Sequence, residues 1–156
     1  MVTLAAVEGG GTTFVCAIAK DTASNIVDRV SFPTTTPEET LGKCRAWLLA
    51  RSFDALGIAT FGPVDPTPGS ETYGHITATP KKAWRHSDVV GALTEGFNVP
   101  FGFDTDVNAP ALAEYRASVR DGEALSSVAY ATVGTGIGGG LVVNGGCVHG
   151  LLHPEA

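Results

Sequence analysis

TLAAVEGGGTTFVCAIA, residues 3–19, is the stretch on which the architecture turns. Val, Ile, Thr and Phe enrich its two flanks, 3–7 and 13–19, so both read as strands, and the glycines between them read as a sharp reversal. A third β-rich run, 26–32, follows a short polar stretch. Three consecutive strands therefore open the chain.

Beyond them the period changes. Leu41, Cys44 and Leu48 recur at helical spacing, Pro37 suits a first turn, and Glu38 and Glu39 favour the positive end of a helix dipole, which predicts a helix over 37–51. Residues 55–61 are a nearly unbroken apolar run, predicted as a strand buried on both faces. The stretch 62–85 is long and dense in Pro, Gly and Thr, which predicts a functional excursion over a site, anchored by Tyr73, Ile76 and Trp84. Ser87 and Asp88 can cap a helix running to 97, and 101–103 is a further strand. Leu112, Tyr115 and Val119 mark a helix over 109–120; strands follow at 128–133 and 137–143, with Asn144-Gly145-Gly146 as a tight turn. This order predicts a doubled α/β architecture, with a first lobe over 1–122 and the beginning of a second over 123–156.

With 44% hydrophobic side chains among 156 residues, the chain can bury a real core. A net charge of −6, with Lys81, Lys82 and Arg85 as the only basic group, excludes a nucleic-acid or anionic-membrane partner. No apolar run approaches the roughly 20 residues that span a bilayer, and the start lacks signal-peptide character, so a cytoplasmic location is expected. Cys16, Cys44 and Cys147 are odd in number and form no C-x-x-C pair, so neither a disulfide framework nor a local zinc knuckle is encoded. Cys16 and Cys44 are expected to be buried thiols. The 20 glycines are about twice the usual share of about 7%. They cluster at 9–11, 134–140 and 145–146, each beside β-forming residues.

Three segments can carry chemistry. In Glu8-Gly9-Gly10-Gly11-Thr12-Thr13 the glycines let main-chain N–H groups approach an anion, the Thr hydroxyls add donors, and Glu8 can hold a metal-bound water. A plain glycine-rich hairpin has the same look, and no G-K-[ST] follows to make a Walker loop. In Phe103-Asp104-Thr105-Asp106-Val107-Asn108, a carboxylate at a strand end can take a proton from an attacking hydroxyl; equally, Asp106 can simply cap the next helix. Asp104 is expected to be the structural partner of the two. Gly134-Thr135-Gly136-Ile137-Gly138-Gly139-Gly140 offers a second clamp on a polyphosphate or a second ordinary hairpin.

Taken in order, these segments resemble the ROK family of sugar kinases and sugar-responsive repressors, specifically its bacterial fructokinase branch. Glu8 to Thr12 matches a D/E-x-G-G-T opening, Asp104 to Asn108 a D-x-D-x-N-like catalytic segment, Gly134 to Gly139 a G-T-G-[IV]-G-G motif, and Glu155 the first residue of E-x-G-H. Phe61-Gly62-Pro63-Val64-Asp65 and the run from Tyr73 to Trp84 resemble the fructokinases. The resemblance implies an actin-like ATPase, ribonuclease-H-like α/β lobe with the start of a second lobe. It implies that Asp106 is the general base and that Thr105, Asp106 and Glu155 meet the sugar. It also implies that Gly10, Gly11, Thr12 and Thr13, with Gly134, Thr135, Gly136 and Gly138, hold ATP with Mg2+.

Two residues depart from the pattern. Thr13 stands where many relatives have Lys, and Thr105 where glucokinase-like members have Asn, which favours a fructose-tuned pocket. The family continues past Glu155 to a Cys/His cluster for structural Zn2+, so zinc is expected only there, and Cys147, His149 and His153 are taken as non-ligands. The expected reaction is phosphorylation of D-fructose to fructose 6-phosphate, this chain being the N-terminal part of the enzyme and inactive alone. The alternatives are a non-catalytic binding lobe and a regulator, which would carry a helix-turn-helix ahead of the first strand. Exposed strand edges after Ser126 lead to the expectation of a homodimer.

Overall fold

The computed structural model describes residues 1–133 and 137–150. β1 (Thr3–Gly9), β2 (Thr13–Lys20) and β3 (Ile26–Pro33) form an antiparallel meander. β4 (Ala55–Thr60) then pairs with the free side of β1, and β5 (Phe101–Thr105) with β4, both in parallel, giving the order β3-β2-β1-β4-β5. Parallel pairing sends the C-terminal ends of β1, β4 and β5 to one edge. Whatever follows Gly9, Thr60 and Thr105 is gathered there.

The two-residue alternation of the strands sorts their side chains. Ala5, Val7, Phe14, Cys16, Ile18, Leu56 and Ile58 are buried on one face, under Leu41, Cys44 and Leu48 of α1 (Pro37–Leu49) and Val89, Val90 and Leu93 of α2 (Val89–Thr94). Hydrogen bonding to Cys44 and burial push the Cys16 thiol well above its ordinary value, so it stays a packing group. Thr36 caps α1 by accepting from Glu39 N at 3.3 Å, and Asp88 Oδ1 caps α2 by accepting from Gly91 N at 2.7 Å. Both helices are shorter than the spacing predicts. α2 stops before Gly96, whose φ of +88° leaves the helical region. The Arg51 guanidinium lies over Trp47, 3.6 Å from the ring centroid, and pairs with Asp28 at 2.8 Å.

The opposite face corrects one expectation. β4 is buried on one side only: Leu4, Ala6, Ala17, Ala55, Gly57 and Gly102 line a shallow depression of about 390 Å3. Alanine and glycine lengthen an apolar run without supplying the bulk that marks a doubly covered strand.

Residues 62–85 are packed down as an ordered excursion. Trp84 stacks on Phe14 with centroids 5.1 Å apart, meets Phe61 edge-on at 5.4 Å, and donates from Nε1 to Thr35 O at 2.8 Å. The Asp65 carboxylate accepts from Ser70 Oγ, Thr72 Oγ1 and Thr67 N, which hold it well below the usual carboxylate range.

After β5 comes α3 (Asn108–Arg120), which packs against a second sheet of β6 (Ser127–Val133), β7 (Ile137–Val143) and the short β8 (Gly146–Cys147). Asn144 and Gly145, at φ 49° and 82°, make the tight turn. β7 approaches the start of α3 closely: a Cβ on Gly140 would run into the Val107 carbonyl, and one on Gly138 would lie 2.8 Å from Val107 Cγ1. Around Gly139 there is nothing within 4 Å. Gly140→Ala should therefore destabilise the fold by about 2 kcal/mol, whereas Gly139→Ala should change stability by less than about 0.5 kcal/mol. Urea unfolding midpoints of the two variants check this, and equal midpoints would refute it.

Candidate active site

In an α/β sheet, ligands bind outside the carboxyl ends of the parallel strands. The first segment there is the glycine loop. Gly10 N donates to Thr13 O at 2.9 Å, Thr34 Oγ1 to Gly10 O at 2.8 Å, and Thr34 N to Thr12 O at 2.9 Å. The Gly10, Thr12 and Thr13 carbonyls thus accept from Thr34 or from the Gly10 N–H. The loop's Gly11 and Thr12 amides find no acceptor among the described residues. Unpaired amides with carbonyls turned away form a concavity suited to an anion. Gly9 serves packing instead, since a Cβ there would lie 2.5 Å from the Phe14 ring and 2.6 Å from Thr60 Oγ1. Thr12 and Thr13 are exposed, so their hydroxyls remain available to a ligand.

The second segment separates the two aspartates. Asp104 Oδ1 accepts from Thr105 N at 2.8 Å and its Oδ2 lies 2.9 Å from His149 Nε2. Asp104 is thereby committed to structure. Asp106 donates its own N–H to Thr60 O at 2.9 Å, which ties this turn to the end of β4. Its carboxylate does not cap α3. The residue at that position is Val107, and Thr105 Oγ1 accepts from Asn108 N at 3.1 Å in its place. Of the two readings open in the sequence, capping is the one excluded. Burial, and then the negative charge of Glu8 across the edge, push the Asp106 carboxyl above its ordinary value. A shift in that direction makes a carboxylate a better proton acceptor.

Thr105 is 3% exposed, with its oxygen on the Asn108 amide. Gly138 lies on β7 against Val107, one residue from Asp106. The Gly10–Thr13 loop, Thr105, Asp106 and Gly138 are accordingly drawn to one region, while Gly134, Thr135, Gly136 and Glu155 lie outside the described residues. Two residues make contacts here for which the sequence assigned them no role. Asn108, 2% exposed, accepts from Leu141 N at 3.2 Å and donates to Val148 O at 3.4 Å, joining the turn to the second sheet; Lys81 lies against Gly11.

Among the described residues no group of three or more His, Cys, Asp or Glu is arranged to hold a metal. Burial and the Asp104 charge push the Cys147 thiol up to about 11. The Glu8 and Asp106 carboxylates are hard oxygen donors, the type that Mg2+ accepts beside phosphate, and the free loop amides suit the phosphate itself.

A family model described as "ROK family" matches residues 4–156. A fructokinase of Zymomonas mobilis is 47% identical over 156 residues, covering 96% of this chain and 50% of the relative. A fructokinase of Streptococcus mutans is 44% identical over 154 residues, covering 96% and 50%. The chain spans about half the length of the curated relatives it matches. A ROK family glucokinase from Streptomyces griseus, solved in complex with glucose and AMPPNP, superposes with a TM-score of 0.77 at 24% identity, covering 97% of this chain and 47% of that one. The fold is therefore the α/β, actin-like ATPase fold of these kinases, as the motifs implied.

Asp106→Asn should raise the thermal midpoint at neutral pH, because it removes a charge that burial and Glu8 disfavour. A carboxyl whose folded pKa is raised destabilises the fold where it is ionised. That cost is complete above the folded pKa and is lost as pH falls through it towards the ordinary value of 3.8. The gain should accordingly shrink on acidification to about pH 4. A lower midpoint for the variant at neutral pH would contradict the assignment.

Proposed function

This chain belongs to the ROK family, and we propose that it carries the sugar- and phosphate-facing half of an ATP-dependent hexose kinase that converts D-fructose to fructose 6-phosphate. One observation carries the reading: a carboxylate with raised proton affinity, released from helix capping, shares a sheet edge with a loop of unpaired amides. Asp106 accepts the proton of the attacking sugar hydroxyl as that oxygen meets the terminal phosphate of ATP. Positioning matters more than basicity in such a transfer, and the Asp106 N–H bond to Thr60 supplies it. The Gly10, Gly11, Thr12 and Thr13 loop holds phosphate oxygens, joined by Gly134, Thr135, Gly136 and Gly138. Glu155 meets the sugar, and Thr105, buried with its oxygen on the Asn108 amide, bears on the pocket through its short side chain, which favours fructose over glucose. Mg2+, when bound, neutralises phosphate charge, and Glu8 would hold one of its waters.

The division at 122/123 into two lobes, and a cytoplasmic setting where ATP is made, are parts of the same proposal. The 156 residues alone are inferred to bind ligands without turning over, since half of the relatives' length is not in them.

A coupled assay for ADP decides between the readings. Joined to the matching second half of the Zymomonas relative, the chain should phosphorylate fructose, and Asp106→Asn should slow this by about 10²–10⁴-fold; the chain alone should not turn over. Preference for another hexose would overturn the fructose assignment, and no turnover with any hexose would leave a non-catalytic binding lobe. We also infer a homodimer. β6 is an outer strand of its sheet, and Val133, Ile137 and Leu141 nearby are exposed. Sedimentation should show two copies, and a monomer at micromolar concentration would refute this.

A further inference from the structure

We propose that Lys81, on the excursion between β4 and α2, is a phosphate-binding residue that pairs with the terminal phosphate held by the glycine loop. The proposal rests on the kinase reading above and adds to it a residue far from the loop in sequence.

Contact is the first observation. A Cβ built on Gly11 would lie 3.3 Å from Lys81 Cε, so the end of the lysine stem lies on the loop whose Gly11 and Thr12 amides are unpaired. Glycine at 11 is what leaves room for it. Charge is the second. Thr12 and Thr13 give the loop hydroxyls and no cation, while Glu8 and Asp106 make the same edge negative. A polyphosphate arriving there meets repulsion from two carboxylates, and Lys81 is the cation placed against the loop to offset it.

The ammonium is also uncommitted. Among the described residues no carboxylate pairs with it, and its one neighbour of note is the Phe61 ring, 6.0 Å from Nζ to the centroid. That is the outer limit of a cation–π contact and leaves three N–H donors for a ligand. Arg85, by contrast, spends its Nε on Thr79 O at 2.8 Å.

The backbone that presents Lys81 is fixed from both sides. Lys81 N donates to Thr79 Oγ1 at 3.4 Å, Thr79 is 1% exposed, and three residues on Trp84 is locked under Phe14 and Phe61 and bonded to Thr35 O. A lysine on a free loop would sample many directions. This one is held where it reaches Gly11.

The test uses inorganic tripolyphosphate as the probe and titration calorimetry on the 156-residue chain, with Lys81→Met, Lys81→Arg and, as a neighbouring control, Lys82→Met. Lys81→Met should weaken binding about tenfold or more, as expected on losing a charge-assisted contact. Lys81→Arg should recover most of it, Lys82→Met should bind like the unaltered chain, and thermal midpoints should not move. Equal affinity in Lys81→Met, equal weakening in Lys82→Met, or no tripolyphosphate binding by the unaltered chain would each overturn the inference. None of these depends on hexose turnover. If Lys81→Met bound normally while the joined enzyme still phosphorylated fructose, Lys81 alone would lose its role; if no hexose were phosphorylated while the lysine result held, the kinase reading alone would fall.

Discussion

The parallel alignment of β1, β4 and β5 is the constraint from which the site follows. Each of these strands leads into a segment with no regular partner of its own, and parallel pairing makes the three segments neighbours although they begin near residues 9, 60 and 105. Two main-chain bonds finish the alignment. Phe61 N donates to Gly9 O at 2.7 Å and Asp106 N to Thr60 O at 2.9 Å, so each segment is bonded to the strand beside it. A glycine loop, an aromatic excursion and a carboxylate turn meet because the ladder continues one bond beyond the strands.

Packing then decides what each segment can do. Phe14, Phe61 and Trp84 come from β2, the end of β4 and the far end of the excursion, and their mutual contacts hold a long irregular stretch against the sheet. The stretch becomes a wall of the site instead of a loose loop, and this is why a side chain at 81 can meet a backbone at 11. Tyr73 meets Phe103 edge-on at 5.9 Å and anchors the middle of the same stretch to β5.

Much of this was legible in the residues. Strands, helices and the order of the chemical segments followed from local period and from glycine placement, because those signals lie within a few positions of the structure they produce. Asp104 was set apart from Asp106 because the carboxylate nearer the helix start is the better placed to face a cleft. Other features depend on contacts between distant positions. Gly138 and Gly140 also let β7 approach Val107, a reason for glycine that no motif displays. The run at 55–61 suggested two covered faces because alanine and glycine count as apolar whether or not anything lies on them. Whether Asp106 capped α3 was open until the Thr105 hydroxyl was seen on the Asn108 amide. Lys81 had no visible role, since its partner lies 70 positions earlier in the chain.

Asn108 has a mechanical consequence. Its side chain bonds to β7 at Leu141 and to the segment after β8 at Val148, while its main chain begins α3 two residues after Asp106. With Gly140 against the Val107 carbonyl there is little slack at this joint. A tilt of the second sheet must either break these bonds or carry the first turn of α3 with it, and Asp106 would be swung by the same displacement. The Asn108 side chain thus couples the second sheet to the turn that carries Asp106, against the Asp106 N–H bond that holds the same turn to Thr60.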